Sequence, residues 1–217
     1  RNFELTDEVR TVVAAHAVLP LLGLDERWYD EVGTIIVRAG AMERSELAKR
    51  RSRSDIEVID GETHTGDGPL MISWRAARRE ALRLRLGRDV VIHEFAHKLD
   101  MLDGSLDGTP SAGGDLDLDE WRRICTNHFE AVREGSSVGV LRSYAATDTA
   151  EFFAVATETF FTSPQALRER ADDLYQLFAG FYHQDPAARH DAAERRGITP
   201  AALHTAFTVT VRAPCDR

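Results

Sequence analysis

The stretch Val91-Ile92-His93-Glu94-Phe95-Ala96-His97-Lys98-Leu99-Asp100 sets two histidines four residues apart with a glutamate directly after the first. On an α-helix this spacing leaves the imidazoles about 40° apart around the axis and about 6 Å apart along it, so both reach one metal ion. Glu94 falls on the same side, flanking His97, where it reaches a water on that ion without being a ligand. The apolar positions decide for a helix. Val91, Ile92, Phe95, Leu99 and Leu102 cluster opposite His93, His97 and Asp100, the pattern of a helix with its back in a core and its front on a cleft. A chance match on an ordinary surface helix lacks that back face.

The surrounding chain has 217 residues, 43% hydrophobic and 8% aromatic, enough for one sizeable core. Its 36 acids outnumber its 27 bases, for a net charge of −9, which argues against general affinity for nucleic acid or for an anionic membrane. Cys125 and Cys215 form neither a disulfide framework nor a CxxC metal pair, a usage that suits a reducing, cytoplasmic setting. No apolar run approaches the roughly 18–20 residues needed to span a bilayer. The first residue is arginine rather than methionine, so a natural start upstream is expected.

Periodicity predicts a helix over Thr6–Leu19, strands over Gly33–Arg38, Ile56–Asp60 and Leu70–Trp74, and a glycine-rich loop from Gly61 to Pro69. From Arg75 the pattern turns helical: Arg75–Leu86, the motif helix from Asp89, Leu118–Arg133, Thr149–Phe161, Gln165–His183 and a tail from Asp185. This is an α+β chain, a small N-terminal sheet followed by a mainly helical body, read as a single domain over residues 1–217. The basic runs Arg44–Arg53 and Arg75–Arg88 read as solvated faces. Seven acids and no base lie between Leu99 and Trp121. Asp115, Asp117 and Asp119 imitate the start of a calcium loop, but Glu120 and Thr126 occupy its glycine and bidentate glutamate positions, so the segment reads as a mobile acidic loop.

A catalytic zinc needs three protein ligands and an open position. Glu151 is the strongest candidate for the third. Glu158, seven residues on, shares its helical face, with Ala154 and Val155 between them, small enough for close helix approach. Glu151 also has a reading that needs no ion, since Asp148 three residues before it matches a capping box. Asp100 or Glu158 can accept the second ring N–H of a ligand imidazole, and a salt bridge or helix-end role serves either as well. The remaining histidines (His16, His64, His128, His183, His190 and His204) stand at no ligand-like spacing and read as structural or exposed.

Val91–Asp100 followed by Tyr144-Ala-Ala-Thr-Asp-Thr-Ala-Glu151-Phe-Phe-Ala-Val155 resembles the Mlc titration factor A family of bacterial zinc peptidases. Asn2–Leu5, Leu70–Trp74, Phe160–Pro164 and Phe181–Pro186 extend the resemblance from residue 2 to about residue 190. It reaches also to the catalytic domain of lethal-factor-type endopeptidases, in which a tyrosine precedes the third ligand by seven residues, the offset of Tyr144 from Glu151. The resemblance implies a zincin-like fold, one Zn2+ held by His93, His97 and Glu151, and Glu158 supporting the ligands from behind. Family members usually carry a further N-terminal segment.

The chemistry expected is peptide-bond hydrolysis by metal-activated water, with Glu94 as general base and Tyr144 donating to the developing oxyanion. Leu70–Trp74 is expected, by analogy with zinc peptidases, to be the cleft edge along which an extended substrate pairs. The resemblance implies aminopeptidase-like cleavage of small substrates and capture of a transcriptional repressor, the property for which the family is named. A regulatory module that sequesters a repressor with little proteolysis is the alternative. A purely structural zinc domain is disfavoured, because such sites close with four ligands and leave Glu94 without a role.

Overall fold

A computed structural model describes residues 3–30, 32–40, 42–43, 58–59, 61–63, 68–82, 87–110, 116–136 and 139–198. The basic run Arg44–Arg53, His64, Asp115, His204, Cys215 and the tail from Thr205 lie outside the described residues. Helix α1 (Asp7–Val18) begins where the Thr6 hydroxyl accepts the Val9 amide, with Asp7 and Glu8 in the first turn, and it stops before Pro20. The strands are β1 (Ile35–Arg38), β2 (Met42–Glu43), β3 (Val58–Ile59), β4 (Gly61–Thr63) and β5 (Leu70–Ser73). The helices that follow are α2 (Trp74–Ala81), α3 (Val90–Asp100), α4 (Leu118–Arg133), α5 (Thr149–Thr162), α6 (Pro164–Arg170), α7 (Asp172–Tyr182) and α8 (Pro186–Arg195). A mainly helical chain with small sheets near its start is the α+β arrangement expected.

β5 is the centre of a three-stranded sheet. It runs parallel to β1, with Ile35 opposite Leu70, and antiparallel to β4, with Thr63 opposite Leu70. β2 and β3 pair separately, Met42 opposite Ile59. Three expectations are corrected here. The segment from Gly61, read as loop, contributes β4, because pairing with β5 outweighs the weak strand propensity of glycine. Leu70–Trp74 ends as a strand at Ser73, whose hydroxyl accepts the Ala76 amide and starts α2. The helix read over Gln165–His183 breaks at an extended Ala171 (φ −151°), where Asp172 and Asp173 take the first turn of α7 and Asp173 accepts the Leu174 amide.

α3 runs between two apolar clusters. Ile92, Ala96 and Leu99 join Trp121 and Ile124 of α4, Phe152, Phe153 and Phe160 of α5, and Tyr175 and Phe178 of α7. Val90, Val91 and Phe95 join Leu70 and Ile72 of β5, Val13 of α1, and Ala76 and Ala77 of α2. The single apolar back expected from the periodicity is thus shared between two clusters. On the front, α5 lies along α3, and His93 and His97 are each only 8% exposed.

Carboxylates moor the start of α3. Asp89 Oδ1 accepts the amides of Val91 and Ile92 at 3.0 Å each, Glu80 Oε2 accepts that of Val90 at 2.8 Å, and Glu158 Oε2 accepts that of Asp89 at 2.7 Å. Every one of these donors would otherwise face the interior unpaired. The other Asp89 oxygen pairs with the His16 ring of α1. Burial works against a charged His16, but the Asp89 carboxylate outweighs it and raises the imidazole above its ordinary range.

Gly108 ties the other end of α3. Its amide donates to both Asp100 oxygens at 3.0 and 2.9 Å, and its carbonyl accepts Trp121 Nε1 at 3.0 Å. Its φ is +80°, and a Cβ there would lie 2.3 Å from the Thr149 carbonyl oxygen. Gly108→Ala is therefore expected to cost about 1–3 kcal/mol in backbone strain alone, measured by urea denaturation; an unchanged midpoint would contradict the close approach. Among the described residues on either side of it, three aspartates accept local hydrogen bonds. Asp103 accepts from Ser105, Asp107 from the Thr109 amide, and Asp117 from the Asp119 and Glu120 amides at the start of α4. Capping and turn formation account for Asp103, Asp107 and Asp117.

Candidate metal centre

α3 presents His93 and His97, and the first turn of α5 presents Glu151. Ala154 and Val155, both fully buried, sit on the α5 face between Glu151 and Glu158. Asp148 caps α5 by accepting the Glu151 amide at 2.9 Å. The capping half of the alternative reading is therefore real, yet it occupies only the backbone of Glu151. Its side chain points at the imidazoles.

His93 Nε2 and His97 Nε2 are 3.2 Å apart, and Glu151 Oε2 lies 3.0 Å from the first and 3.6 Å from the second. Oε2 is buried and accepts no well-directed hydrogen bond, although both nitrogens are near. Three ligand-type atoms thus lie within one small buried volume. Ligand atoms 2.0–2.1 Å from a tetrahedral ion stand about 3.3–3.4 Å apart, so the spacing fits a divalent cation with nitrogen and oxygen ligands. Among the described residues these three alone form a group of His, Cys, Asp or Glu able to hold a metal.

Behind the imidazoles, Glu158 Oε1 stands 2.7 Å from His93 Nδ1 and also pairs with Arg142. A proton on Nδ1 leaves Nε2 with its lone pair toward the ion position. Asp100 is elsewhere: its carboxylate is spent on Gly108, and His97 Nδ1 is buried without a hydrogen-bond partner. Burial raises the Asp100 carboxyl to about 6 against the pull of the Gly108 amide. The Tyr144 hydroxyl donates to Glu151 Oε1 at 3.0 Å, so here it braces the carboxylate. Glu94 is 4% exposed and its charge acts on His93.

The electrostatics ask for a cation. Burial disfavours a charged His93, but Glu158, Glu151 and Glu94 outweigh it and raise the imidazole to about 10. Burial likewise works to raise Glu151, and the two imidazoles reverse it, holding that carboxyl well below the usual range. In chelator-stripped protein the His93 proton takes the part of the ion. Its stabilising contribution is full below pH 6.5 and is lost as pH rises through about 10. Loading must displace it. About one proton is expected to leave per ion at neutral pH, with apparent affinity rising about tenfold per pH unit between roughly 6.5 and 10. Calorimetry in buffers of different ionisation enthalpy checks this, and loading without proton release would contradict it.

Several contributors escaped the sequence reading. Glu80 and Arg142 gave no signal, since they reach the site from separate elements at irregular separations. Asp89, where the motif helix is expected to start, carries a signal that could have marked it, an aspartate just before an apolar helical run. His128 pairs with Asp173 at 2.8 Å, His190 faces Gln165 at 3.2 Å, and His183 ends α7 in a left-handed turn. Leu70–Trp74 cannot be the substrate edge, because β5 is paired on both sides.

Residues 1–183 match the sequence model of a family described as glucose-regulated metallo-peptidase M90. The chain is 34% identical over 191 residues to an uncharacterized protein, slr2042, of Synechocystis sp., covering 85% of this chain and 70% of that protein. It is 32% identical over 201 residues to Mlc titration factor A of Pectobacterium atrosepticum and 38% identical over 201 residues to that of Serratia proteamaculans, covering 85% of this chain and 72% of the relative in both cases. Among the described residues no helix is long and apolar enough to cross a membrane.

Proposed function

Because the chain belongs to the glucose-regulated metallo-peptidase M90 family, we propose that it is a zinc-dependent peptidase in which His93, His97 and Glu151 hold one ion and Glu94 is the general base. The observation that carries this reading is the convergence of His93 Nε2, His97 Nε2 and Glu151 Oε2 at 3.0–3.6 Å beside a buried Glu94. Two imidazoles and a carboxylate suit zinc. When bound there, the ion supplies Lewis acidity and a nucleophile competent at neutral pH.

The chain's own residues do the rest. Glu94 takes a proton from the attacking water and passes it to the leaving nitrogen. Glu158 holds the His93 tautomer, and Glu151 adds the third ligand while Tyr144 steadies it. In the presence of substrate the Tyr144 hydroxyl is placed to exchange Glu151 Oε1 for the developing oxyanion. Of the two outer strands of the three-stranded sheet, β4 is the one that lies along α3, and its backbone is the edge offered to an extended peptide.

The substrates proposed are small peptides, cut in an aminopeptidase-like manner. Profiling a peptide library with zinc-loaded and chelator-stripped protein tests activity and specificity together. Cleavage confined to the loaded protein is expected; none in either form would leave the fold without this activity. The names of the relatives favour a second reading, capture of a transcriptional repressor, which is compatible with hydrolysis.

A further inference from the structure

Arg142 is the N-cap residue of the short turn Ser143–Ala146 that carries Tyr144. Its guanidinium reaches Glu158 Oε1, the same oxygen that faces His93 Nδ1. It also stands over the Tyr144 ring, 5.4 Å from the centroid. The Glu158 side chain is only 2% exposed, and that of Arg142 25%. Arg142 Nε is buried without a hydrogen-bond partner, so no saturated set of hydrogen bonds fixes this guanidinium. Among the described residues it meets the Glu158 charge and the face of the Tyr144 ring.

These contacts define a division of labour. A carboxylate sealed from water needs a facing cation to stay there as an acceptor. Glu158 must accept from His93 Nδ1 if Nε2 is to offer its lone pair to an ion. Arginine is suited to the place, since its planar group stays charged and stacks on the Tyr144 ring, whereas lysine offers only a point charge. We propose that Arg142 is a positioning residue of the metal centre, acting through Glu158 to fix the orientation of His93. This rests on the metal-centre reading above.

A double-mutant cycle read by ion affinity tests it. Arg142→Met, Arg142→Lys, Glu158→Gln and the pair Arg142→Met/Glu158→Gln are titrated with zinc against a chromophoric chelator at one pH, and visible spectra of the cobalt-loaded proteins are compared. Arg142→Met is expected to weaken ion binding about 10–100-fold and to shift the cobalt bands, and Arg142→Lys to recover most of the loss. In the Glu158→Gln background, removing Arg142 is expected to cost less than about threefold further. Unaltered affinity and spectrum in Arg142→Met, or losses that simply multiply in the pair, overturn the proposal.

Should Arg142→Met fail to fold, the pair decides, because it removes both charges together. A folded pair that binds like Glu158→Gln supports the proposal, and one that binds like the parent or far below Glu158→Gln overturns it. A parent chain that takes up no ion overturns the metal reading and Arg142's role with it. A parent that binds and hydrolyses beside an unaltered Arg142→Met overturns only the latter.

Discussion

Glu94→Gln is expected to keep the fold and the ion and to lower peptide hydrolysis by about 10²–10⁴-fold. The amide has the shape of the carboxylate, so the packing of a residue only 4% exposed is preserved. What it loses is the ability to take a proton. Glu94 is outside the group of three converging ligand atoms, so ion content measured by elemental analysis should match the parent. The loss should fall on kcat rather than on KM, because the missing interaction belongs to the transition state. Full activity in the variant would remove Glu94 from the mechanism. The same variant separates the two proposed functions: equal recovery of a repressor by parent and Glu94→Gln would show that capture does not need catalysis.

Glu151→Ala is expected to abolish stoichiometric ion uptake at nanomolar free zinc, with hydrolysis lost alongside. The loss of affinity should exceed the roughly 10–100-fold that removal of an outer hydrogen-bond partner costs. Glu158 is no substitute. One of its oxygens is engaged by His93 Nδ1 and Arg142 and the other by the Asp89 amide, on the far side of the His93 ring from the ligand nitrogen. A Glu151→Ala protein that still holds zinc tightly would falsify this assignment of the third ligand. Removing the carboxylate also takes away one acceptor of the Tyr144 hydroxyl.

The motif helix was legible because its message is local. Its cap, apolar back and histidine spacing lie within the dozen residues Asp89–Asp100, and α3 follows them. Glu151 and Glu158 were legible as two positions on one helix face, but nothing local could tell which carboxylate faces both imidazoles. That depends on how α5 meets α3, a long-range fact. Pairing of β4 with β5 was equally hidden, since three residues starting with glycine have no strand signal until a neighbour supplies hydrogen bonds. The bend at Ala171 was masked by apolar spacing that continues through it, with Leu167, Leu174 and Phe178 all facing one cluster. Arg142 was invisible for the same reason as Glu80. Each acts on a partner that only the tertiary fold brings near.

The mooring of α3 has a consequence for how the centre is loaded. Helix starts ordinarily fray, but here four successive amides, from Asp89 to Ile92, are gripped by acidic side chains from three parts of the chain. Rolling or sliding the helix would strand buried anions without donors, a costly outcome. The azimuth of both imidazoles is thus dictated upstream, by contacts that involve no ion. Uptake of an ion is therefore expected to leave α3 in place, unlike the metal-driven folding of small zinc domains.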